Sequence, residues 1–236
     1  MSMTLVVMQP TLFPWLGYFD LYDQSDIFVV LDDVQVERQS WQCRNRIVTE
    51  RGLQWWSVPI ARAGRGFEQI RDVGIAPSNG WPERHLKTLA QEYSKAPFFE
   101  DLYPTIAWII RGHTKLAPMT EELFRFMLDT IGLKTSKLRP PVESESRIGR
   151  LVDMCKQYHA DTYLSTPGSE GYMALDLGQF SAAGVHVDIH VYEHPVYKQL
   201  HAPFMPYACG LDALFNLGPG MLDVMRSGRR PSRRIV

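Results

Sequence analysis

Two continuous apolar runs, Leu5 to Met8 and Ile27 to Leu31, constrain this chain more than any other feature of it. Each is short and rich in branched side chains. Neither shows the alternation of a half-exposed strand, so each must be covered on both faces, as in a parallel sheet. Residues 9–26 between them leave room for a loop and a short helix, which makes a compact right-handed βαβ unit. The runs end in Gln9-Pro10 and Asp32-Asp33. In open α/β sheets ligands gather beyond the carboxyl ends of the strands, so both ends are places to look for a site.

The rest of the chain supports an α/β class with a mostly parallel sheet. "NRIVTERGLQWWSVPI" holds two strand-like runs around Glu50-Arg51-Gly52, the pattern of an antiparallel hairpin. Ala63 to Phe67 is expected to be a mobile loop, and Gln69 to Ile75 a further strand. Residues 81–132 are helical in pattern, with Leu86, Leu89 and Tyr93 at helical spacing, and Pro97, Pro104 and Pro118 divide them into about three helices. This is a helical segment inserted within one α/β domain spanning 1–236. Alternation resumes with a weak strand at Ser136 to Leu138, a helix from Ser146 to His159 and a strand at Thr162 to Ser165. A short helix from Leu175 to Ala183, a strand from Val185 to Tyr192 and a helix from Asp212 to Leu217 follow.

Charge and cysteine content exclude several classes. The 236 residues have a formal net charge of −1, so nothing global points to nucleic acid. The one basic cluster is the tail over 226–236, where five arginines are expected to form a frayed, solvated end. Cys43, Cys155 and Cys209 are three scattered cysteines with neither disulfide nor zinc spacing. No apolar run is long enough to span a bilayer, and no signal sequence opens the chain, so a cytoplasmic protein is expected.

The densest polar cluster follows the second run: Asp32, Asp33, Gln35, Arg38, Ser40, Trp41, Arg44, Asn45 and Arg46. Arginine forks grip phosphate or carboxylate, and paired acids hold an amine, a hydroxyl or a metal. Cys43 lies within the cluster, with little to mark it as a nucleophile. In "MQPTLFPWLGYF", Gln9 must find polar partners, and Gly17 permits close backbone approach beside a helix start. Trp15 and Tyr18 are shared between ligand and core. His186, Asp188 and His190 alternate onto one strand face, more simply a solvated edge than a metal site; no metal ligands are assigned. "STPGSEGY", with Ser165 and Tyr172, is either a phosphate cradle or a plain turn. His194, Tyr197, Gln199 and Asn216 lie in a proline- and aromatic-rich segment suited to a lid. His194 and His85 are each either a general base or a structural histidine.

These motifs resemble the WbqC-like proteins. The matching stretches are "QPTLFPWLGYFDL", "DIFVVLDDVQVERQSWQCRNRI", Trp81 with His85-Leu86-Lys87, "YLSTPGSEGY" and "HPVYKQLHAPFMPY…LDALFNLG". Cys43 stands where the pattern has asparagine, and the loop after Ser165 is not the usual glycine-rich form. The resemblance implies a Rossmann-like sheet. It also implies a transferase passing an acyl or aminoacyl group, glycine-like, to an amine such as an amino sugar, in O-antigen, polysaccharide or secondary-metabolite biosynthesis. Alternatives are an ATP-dependent amide-forming or nucleotidylyl-transfer enzyme, and a non-catalytic protein that binds a nucleotide-sugar intermediate or a partner enzyme. The "H-x-G-H" turn of nucleotidylyltransferases is replaced here by "FPWLGY". On this reading Arg38, Arg44 and Arg46 neutralise a phosphate-containing or nucleotide-linked substrate. Asp32 or Asp33 orients the acceptor, and His194 or His85 moves the proton. ATP with magnesium is the candidate cofactor, and a homodimer is the candidate assembly.

Overall fold

The computed structural model describes residues 2–37, 39–61, 68–77, 80–144, 146–173 and 176–236, without the side chains of 172 and 173. Along the chain run β1 (Thr4–Met8), α1 (Leu16–Gln24), β2 (Ile27–Val30), β3 (Arg44–Thr49) and β4 (Gly52–Ser57). Next come α2 (Glu83–Tyr93), α3 (Phe99–Gly112), α4 (Leu116–Thr130), β5 (Leu138–Arg139), α5 (Arg147–Gln157) and β6 (Thr162–Ser165). The chain closes with α6 (Glu170–Met173), α7 (Leu177–Ala182), β7 (His186–Tyr192), α8 (Gly210–Leu217), α9 (Met221–Ser227) and β8 (Arg229–Arg234).

Six strands form one sheet in the order β5-β2-β1-β6-β7-β8, and β3 and β4 form a separate antiparallel hairpin. The first five are parallel neighbours; β8 pairs antiparallel with β7. Counted along the chain, the sheet strands lie 3-2-1-4-5-6, the doubly wound order of a Rossmann-like sheet. Both apolar runs are covered on both faces, as their composition requires. Val6, Phe28 and Leu164 pack with α1, the α2–α4 helices and α8. Leu5, Val7, Ile27, Val29 and Tyr163 pack with α5 and α7. The connection from β2 to β5 contains the hairpin and the three helices α2, α3 and α4. Pro104 does not divide two of them; it lies inside α3.

Three expectations are corrected. Gln69 to Ile75 forms no strand: it holds a 3-10 turn, Ile70–Asp72, and isolated bridges to Gln35, Ile60 and Lys115. The alternation on β7 breaks at a register shift between Ile189 and Val191, which turns His190 inward and Val191 outward. The basic tail is not frayed. It folds as the edge strand β8 because acidic residues await it. Asp20 is fully buried on α1; its Oδ1 accepts from Arg229 Nε at 2.8 Å, and its Oδ2 lies 2.7 Å from His190 Nε2. Asp23 accepts from Arg226 Nε at 2.8 Å and Arg229 Nη2 at 2.5 Å. Burial alone would raise the Asp23 pKa, but these two guanidiniums hold it below its ordinary value. Further out, Glu193, Glu170 and Asp188 pair with Arg230, Arg233 and Arg234. The loop expected over Ala63 to Phe67 lies outside the described residues.

Removing a buried carboxylate leaves its partners unpaired, at a cost of about 3–5 kcal/mol. Asp20→Ala is therefore expected to lower unfolding stability by about that amount in urea titration, and Arg233→Ala, in an exposed pair, by less than about 1 kcal/mol. Equal, small effects would show that β8 is not anchored through Asp20.

Candidate functional site

The crossover leaving β1 runs to β2 on one side, and the crossover leaving its other neighbour, β6, runs to β7 on the opposite side. The carboxyl ends of these strands therefore part, and a cavity of about 710 Å³ opens there. Val7, Met8, Leu31, Leu151, Met154 and Tyr163 give it an apolar floor. Its walls are polar. Gln9 and Gln42 form one: Gln42 Nε2 donates to Gln9 Oε1 at 2.8 Å, and Gln42 Oε1 accepts from the Glu37 backbone N–H at 3.1 Å. Ser165 and Ser169 form another, their hydroxyl oxygens 2.5 Å apart. The third is the start of α5, where Ser146 caps the helix by accepting from the Gly149 N–H at 2.9 Å and Arg147 and Arg150 line the cavity. A helix start offers N–H groups and positive potential to an anion.

A second recess of about 400 Å³ adjoins it at the ends of β2 and β5, lined by Asp32, Asp33, Glu121, Arg71, Arg125 and Arg139 among others. Arg150 stands between the two, donating through Nη2 to Asp33 Oδ2 at 2.5 Å and through Nε to the Val142 carbonyl at 2.6 Å. Burial raises the Asp32 pKa above its ordinary value, and the neighbouring Asp33 charge adds to the effect.

The sequence cluster is thus split by the fold. Gln9, Gln35, Trp41 and Ser165 meet at the main cavity, and Asp32 and Asp33 at the recess. Arg44 and Arg46 do not line either. They point from β3 to the outer face of the hairpin, where Arg44 lies 4.1 Å over the Trp55 ring. Asn45, the residue between them in the strand, is buried; its Nδ2 donates to the Leu12 and Phe13 carbonyls at 2.8 and 3.0 Å. It clamps the Gln9–Trp15 turn. Arg38 and the Tyr172 side chain lie outside what is described. The segment after Ser165 is a 3-10 turn leading into α6, not an open loop.

The opening stretch also divides. Gly17 leaves room for the Trp15 indole, which folds over it: a Cβ there would stand 2.3 Å from the ring. Trp15 itself packs against Tyr192, His194 and Tyr207. Tyr18 is buried against Phe28 and Phe124, donates to the Gln9 carbonyl at 3.1 Å, and is pushed by burial well above the ordinary phenol range. Both candidate histidines stand among aromatic rings. His85 is wedged between Trp56 and Trp81, and His194 among Trp15, Tyr197, Phe204 and Tyr207. Burial lowers the pKa of each. Tyr197, Gln199 and Asn216 converge on Asp212, buried in the first turn of α8; Tyr197 Oη and Gln199 Nε2 donate to it at 2.7 and 2.9 Å. They brace the Pro195–Met205 strap. Cys43 is buried with its thiol pKa raised by burial, which removes the thiolate a nucleophile needs.

Sequence reasoning passed over Arg147, Arg150, Gln42 and Ser169. The signal was present in "SRIGR", where a serine cap precedes arginines at i and i+3 on one helix face.

A doubly wound α/β protein with a polar, arginine-edged crevice at its topological switch point is the class that fold and geometry define. The chain belongs to the WbqC-like protein family, which it matches over residues 9–224. It is 32% identical over 232 residues to the uncharacterised protein Rv1507c of Mycobacterium tuberculosis, covering 96% of this chain and 99% of that one. No solved structure matches the chain. Among the described residues no helix is long and apolar enough to cross a membrane.

The depressed histidines fix a pH dependence. Each is less readily protonated folded than unfolded, so stability present above the unfolded value near 6.5 is lost as pH falls from there through the folded values. Thermal melts should show this loss below about pH 6.5, and His194→Phe should flatten part of it. A melting temperature flat from pH 7 to 5 would contradict it.

Proposed function

We propose that the crevice binds a phosphate-bearing, nucleotide-linked small molecule, and that the protein is a transferase. It would pass an acyl or aminoacyl group to an amine, of the amino-sugar kind used in polysaccharide, O-antigen or secondary-metabolite assembly. The observation that supports this most is the coincidence of three anion-binding features at the switch point: the α5 start, Arg147 with Arg150, and the Ser165–Ser169 hydroxyls. Phosphate oxygens accept from such groups, and amides such as Gln9 and Gln42 suit hydroxyls beyond them.

In the transfer, the amine nitrogen attacks the acyl carbonyl, a C–N bond forms, the bond to the leaving group breaks with its electron pair, and one proton leaves the amine. Neither His85 nor His194 is among the residues that line the crevice. Asp32, held above its ordinary pKa in the adjoining recess, is the base assigned here, and the Asp33–Arg150 pair sets the border between donor and amine. Among the described residues no three carboxylate, histidine or cysteine side chains gather to hold a metal ion. A magnesium ion accompanying ATP would be held chiefly by the phosphates. The absence of either histidine from the lining favours, as a second reading, a protein that binds such a molecule without turning it over.

Isothermal titration with pyrophosphate tests the crevice. Arg147→Ala should weaken binding at least tenfold, as loss of a charge-assisted contact of about 1.5–3 kcal/mol predicts, and Arg44→Ala should leave it unchanged. The reverse pattern would overturn the assignment. In a transfer assay with acyl donors and amino sugars, Asp32→Asn should lose turnover while keeping pyrophosphate affinity. The wild-type acid limb should lie above the ordinary carboxylate range, because protonated Asp32 cannot accept. Binding with no turnover for any donor would establish the second reading.

A further inference from the structure

The hairpin face beside the crevice presents exposed aromatic rings next to guanidinium groups. Trp41 and Trp55 are 49% and 50% exposed, and Tyr207 beside them 51%. Large aromatics so exposed and so close together mark contact surfaces. The two indoles lie 5.3 Å apart at an angle of 45°, so they form an open wedge instead of a closed stack. Arg44 lies 4.1 Å over Trp55; Arg46 is 5.7 Å from the Trp41 ring and 6.0 Å from Trp55, and donates to the Tyr207 carbonyl at 3.4 Å. Among the described residues neither guanidinium is in an ion pair, and the Nε of each is buried without a partner.

Register explains the construction. Arg46 faces Trp55 across the hairpin, and Arg44 is two residues along on the same face, while Asn45, Ile47 and Trp56 turn into the core. Trp41 belongs to both places: its ring takes part in this platform and it also lines the crevice. The platform is therefore continuous with the site assigned above to phosphates.

We propose that Trp41 and Trp55, flanked by Arg44 and Arg46, stack the base of a nucleoside diphosphate whose phosphates occupy the crevice; the second half of this statement rests on the function proposed above. A π-face beside fixed positive charge suits a base attached to phosphates. Stacking on aromatic side chains is tolerant of base identity, so the platform would supply affinity and leave specificity to the amides and hydroxyls inside.

The test titrates the full chain with UDP, ADP and pyrophosphate, by calorimetry and tryptophan fluorescence. Wild type should bind both nucleotides more tightly than pyrophosphate, with quenching by the nucleotides alone. Trp55→Ala, outside the crevice lining, should weaken UDP and ADP roughly tenfold or more and leave pyrophosphate within about twofold, as loss of one base–aromatic stack predicts. Trp55→Phe should restore most of that loss, and Trp41→Ala should weaken the nucleotides in the same direction. Equal weakening of pyrophosphate, or no change for the nucleotides, would overturn the platform while leaving the crevice standing. Nucleotide binding that depends on Trp55 but not on Arg147 would uphold the platform and overturn the crevice. Failure of all three probes to bind would overturn both. Capture by phosphatidylglycerol vesicles that depends on both tryptophans, with nucleotide affinity unaffected by either, would reassign the surface to a membrane.

Discussion

Everything at the candidate site depends on β1 having two parallel neighbours. On one side Leu5 to Met8 pair in register with Ile27 to Val30; on the other Thr4 and Leu5 pair with Thr162 and Tyr163. A strand so placed must be apolar on both faces, and the crossovers that leave it and its neighbour β6 run to opposite sides. Its carboxyl end is then the one place on the edge where no crossover closes over the sheet. The crevice is a consequence of that pairing. The turn after β1 is then fixed from outside by Asn45, by the Trp41 carbonyl accepting from Leu12, and by Gly210, whose missing Cβ admits the Pro14 carbonyl.

The same pairing explains where charge is buried. α1 covers the sheet on the face opposite α5, yet it carries Asp20 and Asp23 inward. Those carboxylates require partners, and the chain supplies arginines from α9 and its last strand, with the His190 ring beside Asp20. The arginine-rich terminus is thus a structural element that completes the sheet edge, and its charge is already matched within the fold.

The continuous apolar runs, the hairpin and the helix-rich insertion were legible because each has a local period or turn signal. What could not be read was which side of an element faces which neighbour. Arg44, Asn45 and Arg46 are adjacent in sequence, but strand alternation sends the amide into the core and the arginines outward. His190 looked solvent-facing until a bulge reversed it. The tail looked frayed because its partners, Asp20, Asp23 and Glu193, are distant in sequence. His85 and His194 drew attention as neutral-pH bases, although their indole and phenol neighbours were also visible and argued for packing. Half of the crevice, from α5, was missed because a capped amphipathic helix reads as structure unless one knows that its start meets the end of β1. The family resemblance spanned the chain, as the match over residues 9–224 shows.

A polar crevice, a recess of mixed charge and an aromatic platform at the rim meet at the β1–β6 switch point, where ligand chemistry is proposed to take place. The most direct measurement is a crystal structure of the full chain soaked with a nucleoside diphosphate. Phosphate density is expected between Gln9, Ser169 and the start of α5, within hydrogen-bonding distance of Arg147. Density confined to the Asp32 recess or to the helical segment, with the crevice holding only water at saturating ligand, would contradict it.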